Sequence, residues 1–177
     1  MNLKIFFDKI RPLFGGKMNQ SQVDGLNNIL NACNINELTD MRMVAYILAT
    51  VYHETAKTMQ PIEEYGKGKG RAYNVVINGH VYYGRGYVQL TWDYNYKKAG
   101  KELNVDLLNN PELALQPDIA AKIMINGMVE GWFTGKKLKD YFNNNTDAVN
   151  ARRIINGLDK AELIANYLKT FLTALLK

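Results

Sequence analysis

The longest apolar stretch of the sequence constrains the fold more than any other feature. It carries bulky apolar residues at helical spacing: Met43, Val44, Ile47, Leu48 and Val51. This spacing predicts a buried helix that begins near Thr39, with Thr39 or Asp40 as its cap. The helix runs into His53 and Glu54, so it carries a carboxyl group to the edge of the apolar interior. Partial burial favours the protonated form of a carboxyl group, which is what a general acid near neutral pH requires.

Other segments complete a mainly helical pattern. Asn78-Gly79 lies between two β-prone segments and predicts a hairpin with a type I′ turn. Residues 57–71 are predicted to form a loop, with glycines and lysines alternating at 66–70. The pattern is typical of a mainly α fold of the α+β class, with one small β-hairpin and a single domain spanning 1–177. Further amphipathic helices are predicted around 5–14, 23–33, 93–103, 118–133 and 149–154, and from an Asp159 cap to the C-terminus.

Charge and cysteine content narrow the class of protein. The formal net charge of +5 favours polyanionic partners such as an anionic cell wall. Lys67, Lys69 and Arg71 form the one tight basic cluster, and we expect no nucleic-acid partner. The single cysteine, Cys33, excludes an internal disulfide. No apolar run approaches the roughly 18 residues of a membrane span, and the N-terminus makes a poor signal peptide, so we expect a cytoplasmic protein that something else releases.

Two more carboxylates follow the predicted central helix within ten residues of Glu54. Glu63 and Glu64 lie nine and ten residues after Glu54, and a block rich in Gly, Tyr and amide groups follows at 82–92. Glycoside hydrolysis requires a protonated acid and a second carboxylate on the other face of the sugar. Glu54 could meet Glu63 or Glu64 across a cleft in this way. The ordinary alternative is that these glutamates are surface charges, and spacing alone does not choose between the two.

Metal, phosphate and thiol chemistry find little support in the sequence. His53 and His80 are the only histidines and show no metal-ligand spacing, so we expect neither a metal site nor a cofactor. Taken alone, His53 is more typical of a hydrogen-bonded core histidine than of a catalyst. The segment 66–70 lacks the strand and helix that flank a phosphate-binding loop and predicts a mobile loop beside a cleft. Cys33 has no histidine nearby in sequence, which argues against a thiol nucleophile.

Two motifs together are more specific than any of these features. His53-Glu54-Thr55, followed by the Gly-Arg-Gly block at 83–96, resembles the family 19 glycoside hydrolases, which are the plant-type chitinases and their phage endolysin relatives. The stretches 106–113 and 154–157 also fit, so the resemblance covers about residues 43–169. The Gly-Arg-Gly block carries most of the specificity. The resemblance implies a lysozyme-like helical fold and an inverting hydrolysis of β-1,4-linked N-acetylhexosamine polymers.

The resemblance also implies roles for individual residues. Glu54 matches the general acid, and Thr91 matches a Ser or Thr that helps to hold the attacking water. Glu64 is the first choice for the second carboxylate and Glu63 is the alternative, because the segment before them is shorter than in the plant enzymes. The remaining candidates, for lining the sugar cleft or supporting the carboxylates, are His53, Arg85, Gln89, Tyr94, Asn95, Arg153 and Asn156.

These features predict a phage or prophage endolysin, a muramidase-type hydrolase that cleaves the glycan strands of peptidoglycan and lyses the host cell. We expect a monomer without a separate wall-binding domain, which passes from the host cytoplasm to the periplasm and cell wall with the help of a separate membrane protein. A chitinase acting on chitin is the alternative with the same chemistry. A non-catalytic glycan-binding module is the alternative from another class, and the presence of Glu54, Thr91 and a second carboxylate argues against it. The apolar stripe of the last helix could contact a membrane, but core packing is favoured.

Overall fold

The computed structural model describes residues 2–177 and is mainly helical, as the sequence predicted. It has two small sheets, of which one is the predicted hairpin. The helices are α1 (Leu3–Ile10), α2 (Gln20–Ile35), α3 (Met41–Glu54), α4 (Asp93–Leu103), α5 (Pro117–Glu130), α6 (Leu138–Tyr141) and α7 (Ala161–Leu175). Turns of 3₁₀ helix span Arg11–Phe14, Pro111–Leu115 and Asn150–Ile154. The antiparallel sheets pair β1 (Ile62–Glu63) with β4 (Arg85–Gly86), and β2 (Val76–Ile77) with β3 (His80–Val81).

Helix α3 is the centre of the core. Asp40 caps it, as predicted, through a hydrogen bond from the Arg42 backbone N–H to Asp40 Oδ1 at 2.9 Å. Residues 44–52 are all buried, so α3 needs neighbours on every side. Its main neighbour is α7, where the ring of Tyr167 lies edge-on against that of Tyr52 at 4.7 Å between centroids. The C-terminal end of α3 is therefore held on a rigid support.

Helix α7 closes the core, as favoured from the sequence. Its inward residues are at most 5% exposed: Ile164, Leu168, Phe171 and Leu175. The expected cap at Asp159 is wrong, because the helix begins at Ala161 after Lys160, whose φ of 58° is left-handed. The Asp159 backbone carbonyl serves instead as an acceptor for a buried arginine. In the part of the chain that the structure describes, no helix is long and apolar enough to cross a membrane.

The sheets agree with the sequence in one place and depart from it in another. Asn78 and Gly79 have φ values of 53° and 83°, which is the type I′ turn predicted for the hairpin. Strand β1 lies within the segment predicted to be a loop and pairs with β4 in the register Ile62 to Gly86 and Glu63 to Arg85. Because this pairing joins distant segments, local sequence could not indicate it. It brings the Gly-Arg-Gly block beside both candidate carboxylates.

The C-terminal half contains shorter elements than predicted. Helix α5 ends at Glu130, where Gly131 adopts a left-handed φ of 78°, so Trp132 and Phe133 lie beyond the helix. A 3₁₀ turn replaces the helix predicted around 149–154. Helix α6 was not predicted.

We expect Leu168→Ala to lower the free energy of unfolding by about 2–5 kcal/mol, because it removes a packed side chain from the core. Leu163→Ala on the same helix is the matched control, since Leu163 is 40% exposed and Leu168 only 2%. Its truncation should cost less than about 1 kcal/mol. Urea unfolding followed by circular dichroism measures both variants, and equal losses would contradict the core role of α7.

Candidate active site

A cleft of about 440 Å³ opens beside the C-terminal end of α3. It lies between that helix end, the β1–β4 sheet and the segment after the 3₁₀ turn at 150–154. The predicted site residues in its wall come from four separate parts of the chain. The ten residues that line it are Glu54, Glu64, Arg71, Tyr73, Gly84, Val88, Gln89, Thr91, Ile155 and Asn156.

A buried arginine holds the carboxyl group of Glu54. Arg152 Nη1 donates to Glu54 Oε1 at 2.5 Å, and Arg152 Nε donates to the carbonyl of Asp159 at 3.0 Å. The side chain of Arg152 is 3% exposed and that of Glu54 is 16% exposed. A charge-assisted hydrogen bond from a guanidinium fixed on both edges orients the carboxyl group. Glu54 therefore faces the cleft from a fixed position.

Glu64 faces the same cleft and is held by two donors. The hydroxyl of Tyr73 donates to Glu64 Oε1 at 2.7 Å, and the N–H of Gly84 donates to Oε2 at 3.0 Å. Burial, with the hydrogen bond to Glu64, raises the pKa of Tyr73 to about 12, so its hydroxyl keeps its proton at neutral pH. Each carboxylate oxygen has two lone pairs, so both oxygens of Glu64 can still accept a proton.

Glu63 has different surroundings and does not line the cleft. The hydroxyl of Tyr83 donates to its Oε1 at 2.6 Å, and Lys67 Nζ lies 3.1 Å from its Oε2. The hydrogen bond from Tyr83, followed by that from Lys67, holds the pKa of Glu63 below its usual value against the effect of burial. Glu63 is the last residue of β1 and Glu64 follows it, with its N–H bonded to the carbonyl of Gly84 at 2.7 Å. Successive side chains of an extended backbone point to opposite faces, in keeping with only one of these two neighbours lining the cleft.

Gln89 and Thr91 form the wall of the cleft after β4. Gln89 Nε2 donates to the carbonyls of Ile62 and Gly86 at 3.0 and 3.1 Å. Its φ of 54° is left-handed, which a non-glycine residue keeps only where surrounding contacts impose it. The carbonyl of Thr91 accepts a hydrogen bond from Asn95 Nδ2 at 3.0 Å. These amide contacts fix the backbone on which Thr91 faces the cleft.

A smaller cavity of about 200 Å³ continues the cleft and shares Gln89 and Thr91 with it. Tyr94 and Asn95, both predicted site residues, line this extension. The rings of Tyr94 and Trp92 stack at 5.8 Å between centroids, and Tyr94 is 58% exposed. An exposed aromatic face beside amide groups suits a sugar ring.

Like Glu63, the predicted residues His53 and Arg85 line neither the cleft nor its extension. Burial is the main cause that lowers the pKa of His53, which favours the neutral form of its ring. Arg85 is buried, and its Nη1 donates to Tyr96 Oη at 3.0 Å and to backbone carbonyls. Its guanidinium lies 3.6 Å from the ring centroid of Tyr83. Arg85 therefore supports the backbone of the Gly-Arg-Gly block and contacts neither candidate carboxylate.

The arginine that contacts Glu54 is Arg152, the residue before the predicted Arg153. Arg153 is exposed, and its Nε donates to Asn150 Oδ1 at 3.4 Å. Arg152 and Tyr73 are site residues that the sequence pattern did not indicate. The adjacent arginines of the sequence were the available signal for Arg152, but nothing in the local pattern separated one from the other.

Two features of the part of the chain that the structure describes bear on metal and thiol chemistry. Within residues 2–177, no three His, Cys, Asp or Glu side chains come together as a possible metal site. Cys33 is buried, and burial raises the pKa of its thiol to about 12. Glu54 and Glu64 are the carboxyl groups that line the cleft.

Comparisons with known proteins agree with this geometry. A family model described as chitinase class I matches residues 38–145, which include α3, both candidate carboxylates and the Gly-Arg-Gly block. Endochitinase 1 of Theobroma cacao is 39% identical over 106 residues, which cover 49% of this chain and 32% of that protein. Endochitinase 2 of Gossypium hirsutum is 36% identical over 107 residues, covering 49% of this chain and 35% of that protein. The chain thus spans about a third of the length of these curated relatives.

Solved structures extend the similarity over the whole fold. Chitinase C from Streptomyces griseus HUT6037 superposes with a TM-score of 0.71 at 26% identity, covering 99% of this chain and 76% of that chain. A class IV chitinase of family GH19 from Zea mays superposes with a TM-score of 0.64 at 22% identity, covering 97% of this chain and 90% of that chain. The second likeness concerns the fold alone.

Proposed function

This chain belongs to glycoside hydrolase family 19, the family of the class I chitinases, and on that premise we propose that its cleft cleaves β-1,4 bonds between the N-acetylhexosamine units of chitin. One observation carries the proposal. Glu54 and Glu64, from different elements, line one cleft together with Thr91. The similarity to proteins named endochitinases favours chitin as the substrate.

In the proposed reaction, Glu54 gives its proton to the glycosidic oxygen as the bond from that oxygen to the anomeric carbon breaks. Glu64 takes a proton from a water molecule, whose oxygen attacks the anomeric carbon from the opposite face of the sugar. A single displacement of this kind inverts the anomeric configuration. Thr91, in the wall between the cleft and its extension, helps to hold the attacking water.

Arg152 would act on the charge that forms at Glu54. Once Glu54 has given up its proton, its carboxylate faces a guanidinium at 2.5 Å. A positive group that is already in place stabilises developing negative charge without reorganisation. The same contact also keeps the carboxyl group aimed at the cleft, so Arg152 is a positioning residue for the proposed acid.

Peptidoglycan is a second candidate substrate, and the net charge of +5 favours it. A basic protein is attracted to an anionic cell wall, and the glycan strands there contain the same type of linkage. Under this candidate, the protein would be a monomeric phage or prophage endolysin that reaches the wall from the host cytoplasm through a separate membrane protein. Turnover measured side by side on chitin and on purified peptidoglycan decides between the two substrates.

We expect Glu54→Gln to lower kcat on chitin by about 10²–10⁴-fold, because the variant lacks the proton donor. Glu162→Gln on α7 is the matched control, since Glu162 is exposed and does not line the cleft. Release of reducing ends measures turnover, and urea unfolding checks that both variants fold. Near wild-type turnover by Glu54→Gln would remove Glu54 from the acid role. A wild-type protein that turns over neither chitin nor peptidoglycan would support a non-catalytic glycan-binding module.

The same substitution at two neighbouring residues identifies the base. Glu64→Gln should lower kcat by at least about 100-fold. Glu63→Gln should change it by less than about fivefold, because that carboxylate bonds to Tyr83 and Lys67 outside the cleft. The reverse order would move the role to Glu63, and two mild effects would contradict a carboxylate base at either position.

A further inference from the structure

Arg71 is a charged residue in the cleft wall that has no role in the proposed reaction. Among the ten lining residues, it is the one cation, and it faces the same space as Glu54 and Glu64. The side chain of Arg71 is exposed. Within residues 2–177, no carboxylate lies within 4.0 Å of its guanidinium, since the ion pairs at that distance involve other basic residues.

The backbone before Arg71 is ordered by consecutive turns. We call residues 66–71 the basic loop. The N–H groups of Lys67, Lys69 and Arg71 each donate to the carbonyl three residues earlier, at 2.9–3.0 Å. Gly68 packs so closely that an added Cβ would lie 3.2 Å from Tyr73 and from Tyr83. These contacts hold the centre of the basic loop against Tyr73 and Tyr83, and Arg71 follows at its end in the cleft wall.

The charges in the cleft indicate which substrates the unpaired guanidinium of Arg71 would favour. The negative charge of Glu54 is balanced by the guanidinium of Arg152. The carboxylate of Glu64 accepts its hydrogen bonds from two neutral groups, the hydroxyl of Tyr73 and the N–H of Gly84. A substrate that carries carboxylates would be repelled by Glu64. A neutral glycan experiences no such repulsion, and it needs no cation in the wall. An unpaired arginine presents planar N–H donors that match a carboxylate in a bidentate geometry.

We propose that Arg71 is a specificity-determining residue that binds a carboxylate carried by the glycan, so that the cleft accepts carboxylated N-acetylhexosamine polymers. The proposal rests on the proposed function, the hydrolysis of β-1,4 bonds between N-acetylhexosamine units, and of the two candidate substrates it favours the carboxylated strands of peptidoglycan over neutral chitin. The carboxylate could belong to an acidic ether substituent on the sugar ring or to a peptide attached to it. Both sources present the same group to the guanidinium.

Two soluble polymers with one backbone test the proposal: neutral glycol chitin and anionic carboxymethyl chitin. In Arg71→Gln, the ratio of kcat/KM on the anionic polymer to that on the neutral polymer should fall by about tenfold, which is the scale of one charge-assisted hydrogen bond. Lys69→Gln is the matched control, because it removes the same charge from the basic loop at a residue that does not line the cleft. Its ratio should stay within about twofold of the wild type. Arg71→Lys keeps the charge without the planar fork, and its ratio should lie between those of the wild type and Arg71→Gln.

A binding measurement separates this proposal from the proposed function. In the Glu54→Gln background, affinity electrophoresis in gels containing either polymer should show that Arg71→Gln weakens binding to the anionic polymer more than to the neutral one. A wild-type protein without turnover would refute the proposed function, while the binding difference would still decide the role of Arg71. Equal loss on both polymers, an unchanged ratio, or the same change in Lys69→Gln would overturn the proposal.

Peptidoglycan strands with and without their peptides distinguish the two sources of carboxylate. An effect of Arg71→Gln that persists on peptide-free strands assigns the contact to the acidic substituent of the ring. An effect that disappears with the peptides assigns it to a peptide carboxylate. No effect on either form of strand would contradict the proposal for natural substrates of this kind.

Discussion

The contact between Glu54 and Arg152 is the interaction on which the site depends. It joins two residues that are 98 positions apart in the chain, one at the end of the central helix and one in the turn that precedes the last helix. Arg152 is buried, and a buried guanidinium is costly unless it is paired and hydrogen-bonded. Glu54 and the carbonyl of Asp159 meet both needs. The hydroxyl of Tyr46 on α3 also donates to the carbonyl of Ala151 at 2.7 Å, which holds the same turn against the helix.

The rest of the architecture supports this contact from two sides. Helix α7 follows the turn and packs along α3, so the core that stabilises the fold also fixes the arginine. On the other side, the pairing of β1 with β4 sets Glu64 next to the N–H of Gly84. The two carboxylates are thus carried by different parts of the chain, and the cleft of about 440 Å³ lies between them.

Local features of this fold could be predicted from the sequence, and long-range ones could not. The cap at Asp40 and the turn at Asn78-Gly79 follow from propensities within a few residues. The β1–β4 pairing joins segments that carry no mutual signal in a single sequence. The arginine that contacts Glu54 depends on the same kind of long-range information. Successive side chains on a 3₁₀ turn point about 120° apart, so tertiary contacts decide whether Arg152 or Arg153 faces the core.

A double-mutant cycle tests most directly whether the pair organises the site. Free energies of unfolding would be measured for the wild type, Glu54→Gln, Arg152→Gln and the double variant. The account predicts a coupling energy of about 1–3 kcal/mol between Glu54 and Arg152. The parallel cycle between Glu54 and Arg153 should be additive to within about 0.5 kcal/mol. Additive effects of Glu54→Gln and Arg152→Gln, or an equal coupling to Arg153, would contradict the claim that this contact holds the proposed acid in place.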